Sequence, residues 1–356
     1  MNGRGLRIAA VQMDANPAST RERLARAEKI VKDAVRAGAR LIVLPELFNT
    51  GYTYSEENHA RVESIEDQTA TWMRMIAAHH DIHLAGSLML LEHGEVYNTL
   101  LLFGPDGRVW RYDKNYPWGW ERGSFRESRR DPRVTVAETD LGDFGMLVCW
   151  DVAHLNLWAE YAGRIDMMLI CSSPPDIGDA IYHFPNGDRL TLDDIGAAAE
   201  FSRGNTLKVF GDMINQQTAW LGVPAVNSVG CGHIRTDIPV GRLSLIGYGM
   251  LAPWLFKHLP HADRMQLSCD MVHMCKIVDA SGHVSNKINK QDGESFALAE
   301  VELAESKPSM LGPQPASLIP KHTYFLSDTL LPAISKSVYR KGKRYWRKLD
   351  DRESFM

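Results

Sequence analysis

Cysteine is scarce in this sequence, and the little there is follows no pattern. Five cysteines in 356 residues include no Cys-x-x-Cys pair. Cys269 and Cys275 are too far apart in sequence for a common zinc knuckle. A disulfide framework is therefore not expected, and free thiols in a reducing, cytoplasmic compartment are. Long apolar runs are also missing: no stretch of about 20 uninterrupted apolar residues exists to span a bilayer. The opening MNGRGLRIAAVQM does not read as a signal peptide, because its short apolar run continues directly into a strand. Neither sign of charge dominates. With 40 Lys and Arg against 44 Asp and Glu, the formal net charge is −4, which supplies no global field to attract nucleic acid. No short internal repeat is present.

The rest is the composition of an ordinary globular protein, 44% hydrophobic and 24% charged, with enough chain for a large core. Residues 6–13 (LRIAAVQM) form an apolar, strand-like run that Asn16-Pro17 breaks. Ser19 or Thr20 can cap a helix reaching about Ala37, with Leu24, Ala27, Ile30, Val31 and Ala34 at helical spacing and Gly38 ending it. Residues 41–44 (LIVL) suit a strand buried on both faces. Strand, helix and strand in this order suggest a βαβ unit.

The alternation continues. A helix is expected over 69–79 and strands over 82–91 and 96–103. The Gly104-Pro105-Asp106-Gly107 turn then leads into a strand at 109–112. Further strands are expected over 134–138, 144–149 and 167–171, with a helix after Cys149. A helix over 207–220 leads to a strand at 223–227. A last hairpin spans 274–288, and a closing strand 296–303. Hairpins among crossovers predict mixed sheets in one layered α/β domain.

Three polar residues stand at or just past strand ends, where α/β sheets place ligands. Glu46, in LPELF, has apolar neighbours that would desolvate it and raise its pKa, as a general base near neutral pH requires. The bland alternative is a glutamate capping the next turn. Lys114, in YDKNYP, could supply a fixed ammonium for a developing oxyanion, or be a solvated surface charge. Cys149, in GMLVCWD, ends an apolar strand before a helix, a placement that exposes sulfur and favours thiolate. Buried inert cysteine is its alternative. A base, a cation and a thiol together are the components of acyl transfer.

At this level the sequence resembles the nitrilase, or carbon–nitrogen hydrolase, superfamily over most of residues 6–303. The segments IAAVQMD, LPELFNTGY, YDKNYP and LVCWD fall in the family's order, and VPAVNSVG (223–230) and KIVDASGHV (276–284) follow. The resemblance implies a four-layer-forming αββα sandwich with a Glu–Lys–Cys triad on Glu46, Lys114 and Cys149. It also implies a second glutamate, best matched by Glu121 in WERGSF, whose alternative is a surface ion pair with Arg122. Homodimers or higher oligomers are implied, as is chemistry needing no metal or organic cofactor. Trp150 resembles the nitrilase pattern, in which Trp is followed by Glu, but Asp151 departs from it.

The expected activity is hydrolysis of a small non-peptide amide through a cysteine thioester. A nitrile substrate, acyl transfer to an amine, and a non-catalytic binding protein on the same fold remain alternatives. Tyr52, Trp118, Trp120 and Trp150 are the expected substrate contacts, and packing beneath the loop is the alternative for Trp118 and Trp120.

A nitrilase-like domain is expected over 1–320, with insertions at about 176–206 and 242–270, and a C-terminal extension over 321–356. The apolar segment 242–258, flanked by Arg242 and Lys257, could touch a membrane surface, line an entrance, contact another subunit or enter the core. The basic, aromatic tail from Ser335 could favour an anionic surface or clasp a dimer.

Overall fold

The computed structural model describes residues 4–196, 203–250 and 252–353. Portions of three expected segments (1–3, 197–202 and 354–356) and position 251 lie outside the described residues.

The expected βαβ start is present. Strand β1 (Arg4–Asp14) leads to helix α1 (Thr20–Arg36), and β2 (Leu41–Val43) lies parallel to β1. Ser19 caps α1 by accepting a hydrogen bond from the Glu22 N–H. Such a cap satisfies a backbone donor that the first helical turn leaves without a partner. Helix α2 (Gln68–His80) leads to β3 (His83–Glu92), β4 (Glu95–Phe103) and β5 (Val109–Asp113). Then come β6 (Val136–Thr139), β7 (Gly142–Val148), α3 (Leu155–Tyr161) and β8 (Met167–Ser172). Four short strands follow: β9 (Ile181–His183), β10 (Arg189–Leu190), β12 (His233–Asp237) and β13 (Gln266–Asp270), with the longer β11 (Ala225–Cys231) among them. Strands β14 (Lys276–Val278), β15 (Val284–Lys287) and β16 (Ser295–Leu303) end the β structure.

The main sheet runs β5-β4-β3-β2-β1-β11-β8-β7-β6, with β16 also paired to β1 and β14 to β11. Its centre is parallel and its hairpins antiparallel, as a mixed sheet requires. Both faces are buried, and the sequence alternation sorts residues between them. Ile8, Ala10, Leu41, Val43, Leu100 and Leu102 enter one core, shared with Phe144 and Met146 of β7. Their neighbours Ala9, Val11, Ile42, Leu101 and Phe103 enter another, beneath α1 and α2. The two halves of the sheet thus face each other inside helical layers, giving the αββα sandwich.

Two expectations change. Residues 176–206 are not merely a loop with helical pieces, because β9 and β10 join β13 and β12 in a separate antiparallel sheet. These strands are too short to show periodicity, and β9 finds its partner β13 some eighty residues downstream. After Cys149 the chain makes a 3-10 turn, Cys149–Ala153, before α3 begins. The helix expected over 207–220 is present, widened to π geometry at Lys208–Met213.

Segment 242–258 forms most of the helix Gly241–Gly249 and the first half of a 3-10 stretch, Pro253–Arg264. Leu245, Ala252 and Leu255 are buried, whereas Leu243, Ile246, Met250, Trp254 and Phe256 are exposed. No helix among the described residues is long and apolar enough to cross a membrane.

The C-terminal chain does not trail away from the domain. Helix Leu331–Glu353 packs on the turn Gly119–Gly123, with Leu331 beside Gly119 and Val338 beside Gly123. Trp346 is wholly buried and donates its indole N–H to the His59 carbonyl at 2.9 Å. Trp346→Ala is therefore expected to lower the unfolding free energy by about 3–5 kcal/mol, measured by urea denaturation. Limited proteolysis should then cut first within 331–353. A loss below about 1 kcal/mol, as for a surface site, would contradict this docking.

Candidate active site

Three chain segments meet at one end of the sandwich. The first leaves β2, where Leu44 N–H still bonds to Ala85 of β3 at 2.8 Å. Glu46 follows, its backbone bonded to the end of β8 through Glu46 N–H to Ser172 O at 3.4 Å and Ser173 Oγ to Glu46 O at 3.0 Å. The second segment leaves β5 at Lys114, whose N–H bonds to Asn98 O of β4 at 2.9 Å. The third leaves β7 at Cys149.

Cys149 has φ +48°, in the left-handed region that non-glycine residues seldom enter. A strained strand-to-turn corner of this kind projects a side chain away from both flanking elements. Asp151, two residues on, fixes the corner to the Lys114 loop. Its fully buried carboxylate accepts hydrogen bonds from Tyr112 OH at 2.8 Å, Tyr116 N–H at 2.7 Å and Asn115 N–H at 3.3 Å. Val148 N–H approaches the same carboxylate at 3.4 Å. The residue that departs from the expected pattern is thus a clamp between two site-bearing loops.

Lys114 is completely buried. Its Nζ lies 2.8 Å from Glu46 Oε1 and 2.7 Å from Glu121 Oε2. Glu121 also accepts from Tyr52 OH at 2.6 Å and from Trp118 N–H at 2.8 Å. Its expected alternative, a surface pair with Arg122, is not what forms; Arg122 pairs with Glu127 instead. Asn98 Nδ2 donates to Glu46 Oε1 at 2.7 Å. The other oxygen, Glu46 Oε2, has no well-formed hydrogen bond among the described residues.

Two carboxylates facing one ammonium in a dry site cannot both ionise freely. Burial pushes the Glu46 carboxyl up to about 7, with Lys114 opposing and Glu121 reinforcing the rise. Burial alone would lower the Lys114 pKa, but Glu121 and Glu46 outweigh it and raise it, so the ammonium is fixed. Burial and the neighbouring Glu46 charge push the Cys149 thiol well above its ordinary value, against the pull of Lys114 and the Ser173 N–H. Both effects favour the thiol over the thiolate at rest.

Cys149 opens onto a cavity lined also by Tyr52, Trp118 and Trp150. Trp120 does not reach it. This indole is fully buried behind the wall, bonded through Nε1 to Ser244 Oγ at 3.0 Å and packed edge-on against Trp118. Tyr52 contributes through its bond to Glu121 as well as through its position on the wall.

Sequence reading missed Asn98, whose signal is a buried amide inside the apolar run VYNTLLLF. It also missed Tyr54, Phe210, Tyr248 and Leu326, which carry no local signal distinguishing wall from core. Trp150 Nε1 donates to Asp328 Oδ1 at 2.9 Å, and His154 Nε2 lies 3.0 Å from Asp328 Oδ2. All five cysteines are unpaired and buried. No cluster of three or more His, Cys, Asp or Glu able to hold a metal exists among the described residues.

Known proteins resemble this chain in sequence and in fold. Similar curated proteins include a nitrilase of Pyrococcus abyssi, 30% identical over 151 residues, covering 41% of this chain and 56% of that one. An omega-amidase of Xenopus laevis is 28% identical over 177 residues, covering 46% and 62%. This chain spans roughly half to six-tenths of the length of such relatives. Among solved structures, an amidase from Nesterenkonia sp. AN1 in complex with acrylamide superposes with a TM-score of 0.60 at 18% identity, over 86% of this chain and 93% of that one. A nitrilase-superfamily protein of Saccharomyces cerevisiae superposes with a TM-score of 0.58 at 16% identity, over 84% and 90%. Residues 7–188, which hold Glu46, Lys114, Glu121 and Cys149, match the carbon–nitrogen hydrolase family, and the chain belongs to that family, within the nitrilase superfamily.

Proposed function

We propose that the protein hydrolyses a non-peptide amide through a thioester on Cys149. The observation that carries this reading is the burial of one ammonium between two carboxylates, beside a thiol that opens onto a cavity. Such a cluster is costly to desolvate, and sulfur chemistry gives it a use.

Glu46 takes the thiol proton as the sulfur attacks the amide carbon, so no free thiolate has to exist in the buried site. The acceptor is its unpartnered Oε2, and the raised pKa of the carboxyl suits proton exchange near neutrality. Lys114 and the Trp150 backbone N–H stabilise the oxyanion. Protonated Glu46 returns its proton to the leaving nitrogen, and ammonia or an amine departs. Water then attacks the thioester carbonyl, with Glu46 as base again, and the C–S bond breaks to release the acid and restore the thiol. Glu121, bonded to Lys114 and Tyr52, holds the ammonium in place.

Three expected outcomes test this reading. Cys149→Ala should lower turnover by on the order of 10⁴-fold or more. Intact-mass measurement after rapid quenching should find the acyl mass on the native enzyme and nothing on the variant. Full activity in the variant would end the proposal. Matched amide and nitrile pairs in the same assay separate the two substrate classes.

The second outcome concerns pH. Protonated Glu46 cannot accept the thiol proton, and its raised pKa places that loss near pH 7. For an uncharged amide, kcat/KM should fall about tenfold per pH unit below that point. A flat profile down to pH 5 would remove Glu46 from the role of base.

The third is structural. Lys114→Met leaves two buried carboxylates without their cation and should destabilise the fold by about 3–5 kcal/mol at pH 8. Without Lys114 the Glu46 pKa rises further, so the carboxyl becomes neutral already above pH 7 as pH falls. The penalty should therefore shrink as pH falls toward 6. Urea titrations at both pH values check this, and a penalty that grows on acidification contradicts it.

A further inference from the structure

We propose that the substrate is an amide with an uncharged, apolar acyl group, held in the cavity onto which Cys149 opens. This rests on the thioester reading above. While the thioester exists, the acyl group hangs from the sulfur and has to occupy the space that the sulfur faces.

That space is apolar. Its atom-free volume is about 690 Å³, part of it open to solvent. Aromatic and aliphatic side chains make most of the wall, among them Tyr54, Trp118, Trp150, Pro175, Phe210 and Leu326. Its polar side chains are neutral, such as Asn205, Thr206, Thr323 and Ser327. No Lys, Arg, His, Asp or Glu lines it among the described residues.

The charges just behind the wall are already engaged. Lys114 is held by Glu46 and Glu121, and Asp328 by the Trp150 indole and His154. An acyl chain ending in a carboxylate would lose its water here and gain no counter-ion among the described residues. An alkyl or aryl chain gains from the same burial.

The wall also has a distinct origin. Phe210, Tyr248, Thr323 and Leu326 all lie beyond residue 188, where the family match ends. The segment Lys321–Leu330 is tied over the cavity by Asp328 and by Tyr324 OH, which donates to the Ala153 carbonyl at 2.7 Å. Segments that carry no part of the matched cluster therefore set much of what the cavity accepts.

The test compares kcat/KM for hexanamide and phenylacetamide with that for glutaramic acid, the monoamide of glutaric acid, and for its uncharged methyl ester, using the full-length enzyme at pH 8. The neutral amides are expected to exceed glutaramic acid by about 100-fold or more, and the methyl ester to regain most of the difference. Leu326→Arg should narrow the gap between the acid and its ester by at least about tenfold. Equal or better turnover of glutaramic acid overturns the apolar-acyl proposal while leaving the thioester reading intact. Absence of an acyl adduct on Cys149 with every amide overturns the thioester reading, and this proposal with it.

Discussion

Lys114 has no contact with solvent, so its charge is stabilised entirely by what the fold places around it. Glu46 and Glu121 supply two carboxylates for one ammonium, and the surplus negative charge has to be managed within the cluster. It is managed unequally. Glu121 receives three hydrogen bonds, from Lys114, Tyr52 and Trp118. Glu46 receives two on one oxygen and none that is well formed on the other. The less satisfied carboxylate is the one whose pKa is pushed to about 7. In the proposed mechanism the same asymmetry separates a positioning group from a base, without any difference in the chemistry of the two side chains.

Holding three charged groups in a dry site demands that their backbones be over-determined, and the hydrogen bonds around the site do this. Asp151 joins the turn after Cys149 to the loop that begins at Lys114 through the Asn115 and Tyr116 N–H groups, and to β5 through Tyr112 OH. Ser172 and Ser173, at the end of β8, hold the backbone of Glu46, and the Ser173 N–H also acts on the Cys149 sulfur. A positive φ at Cys149 persists because the chain on either side is fixed, by β7 before it and the Asp151 clamp after it. The strain and the buried charges are thus supported by the Asp151 carboxylate and by the two serines, groups the proposed chemistry does not use.

Much of this was legible in the sequence, and the reason is geometric. Buried parallel strands are continuous apolar runs, so a polar residue at the end of one stands out. Glu46 and Cys149 each follow such a strand, whereas Lys114 follows the antiparallel and partly exposed β5, and the sheet gathers these strand ends at one edge. Glu121 lay in a 3-10 turn, and only the resemblance pointed to it. What stayed hidden depends on contacts distant in sequence. Strands β9 and β10 span three and two residues, too few for any period, and exist because β13 pairs with β9. Trp118 and Trp120 are two residues apart in one loop and look equivalent as letters, yet the turn sends one to the cavity and the other into the core.

The cavity wall combines two sources in a way that bears on how far likeness to relatives can be carried. The cluster of Glu46, Lys114, Glu121 and Cys149 lies wholly inside the matched segment 7–188 and is stabilised almost entirely by residues of that segment. The opposite wall comes from residues within 205–248 and 323–327, whose cavity-facing side chains are apolar or neutral. Apolar packing tolerates exchange of side chains far better than a buried ion cluster does, since a misplaced methyl costs less than an unpaired charge. A protein of this build can therefore change which acyl groups it admits without disturbing the charges beneath them. The physical boundary between proposed chemistry and proposed specificity runs through the cavity itself, between the sulfur of Cys149 and the aromatic and C-terminal side chains that face it.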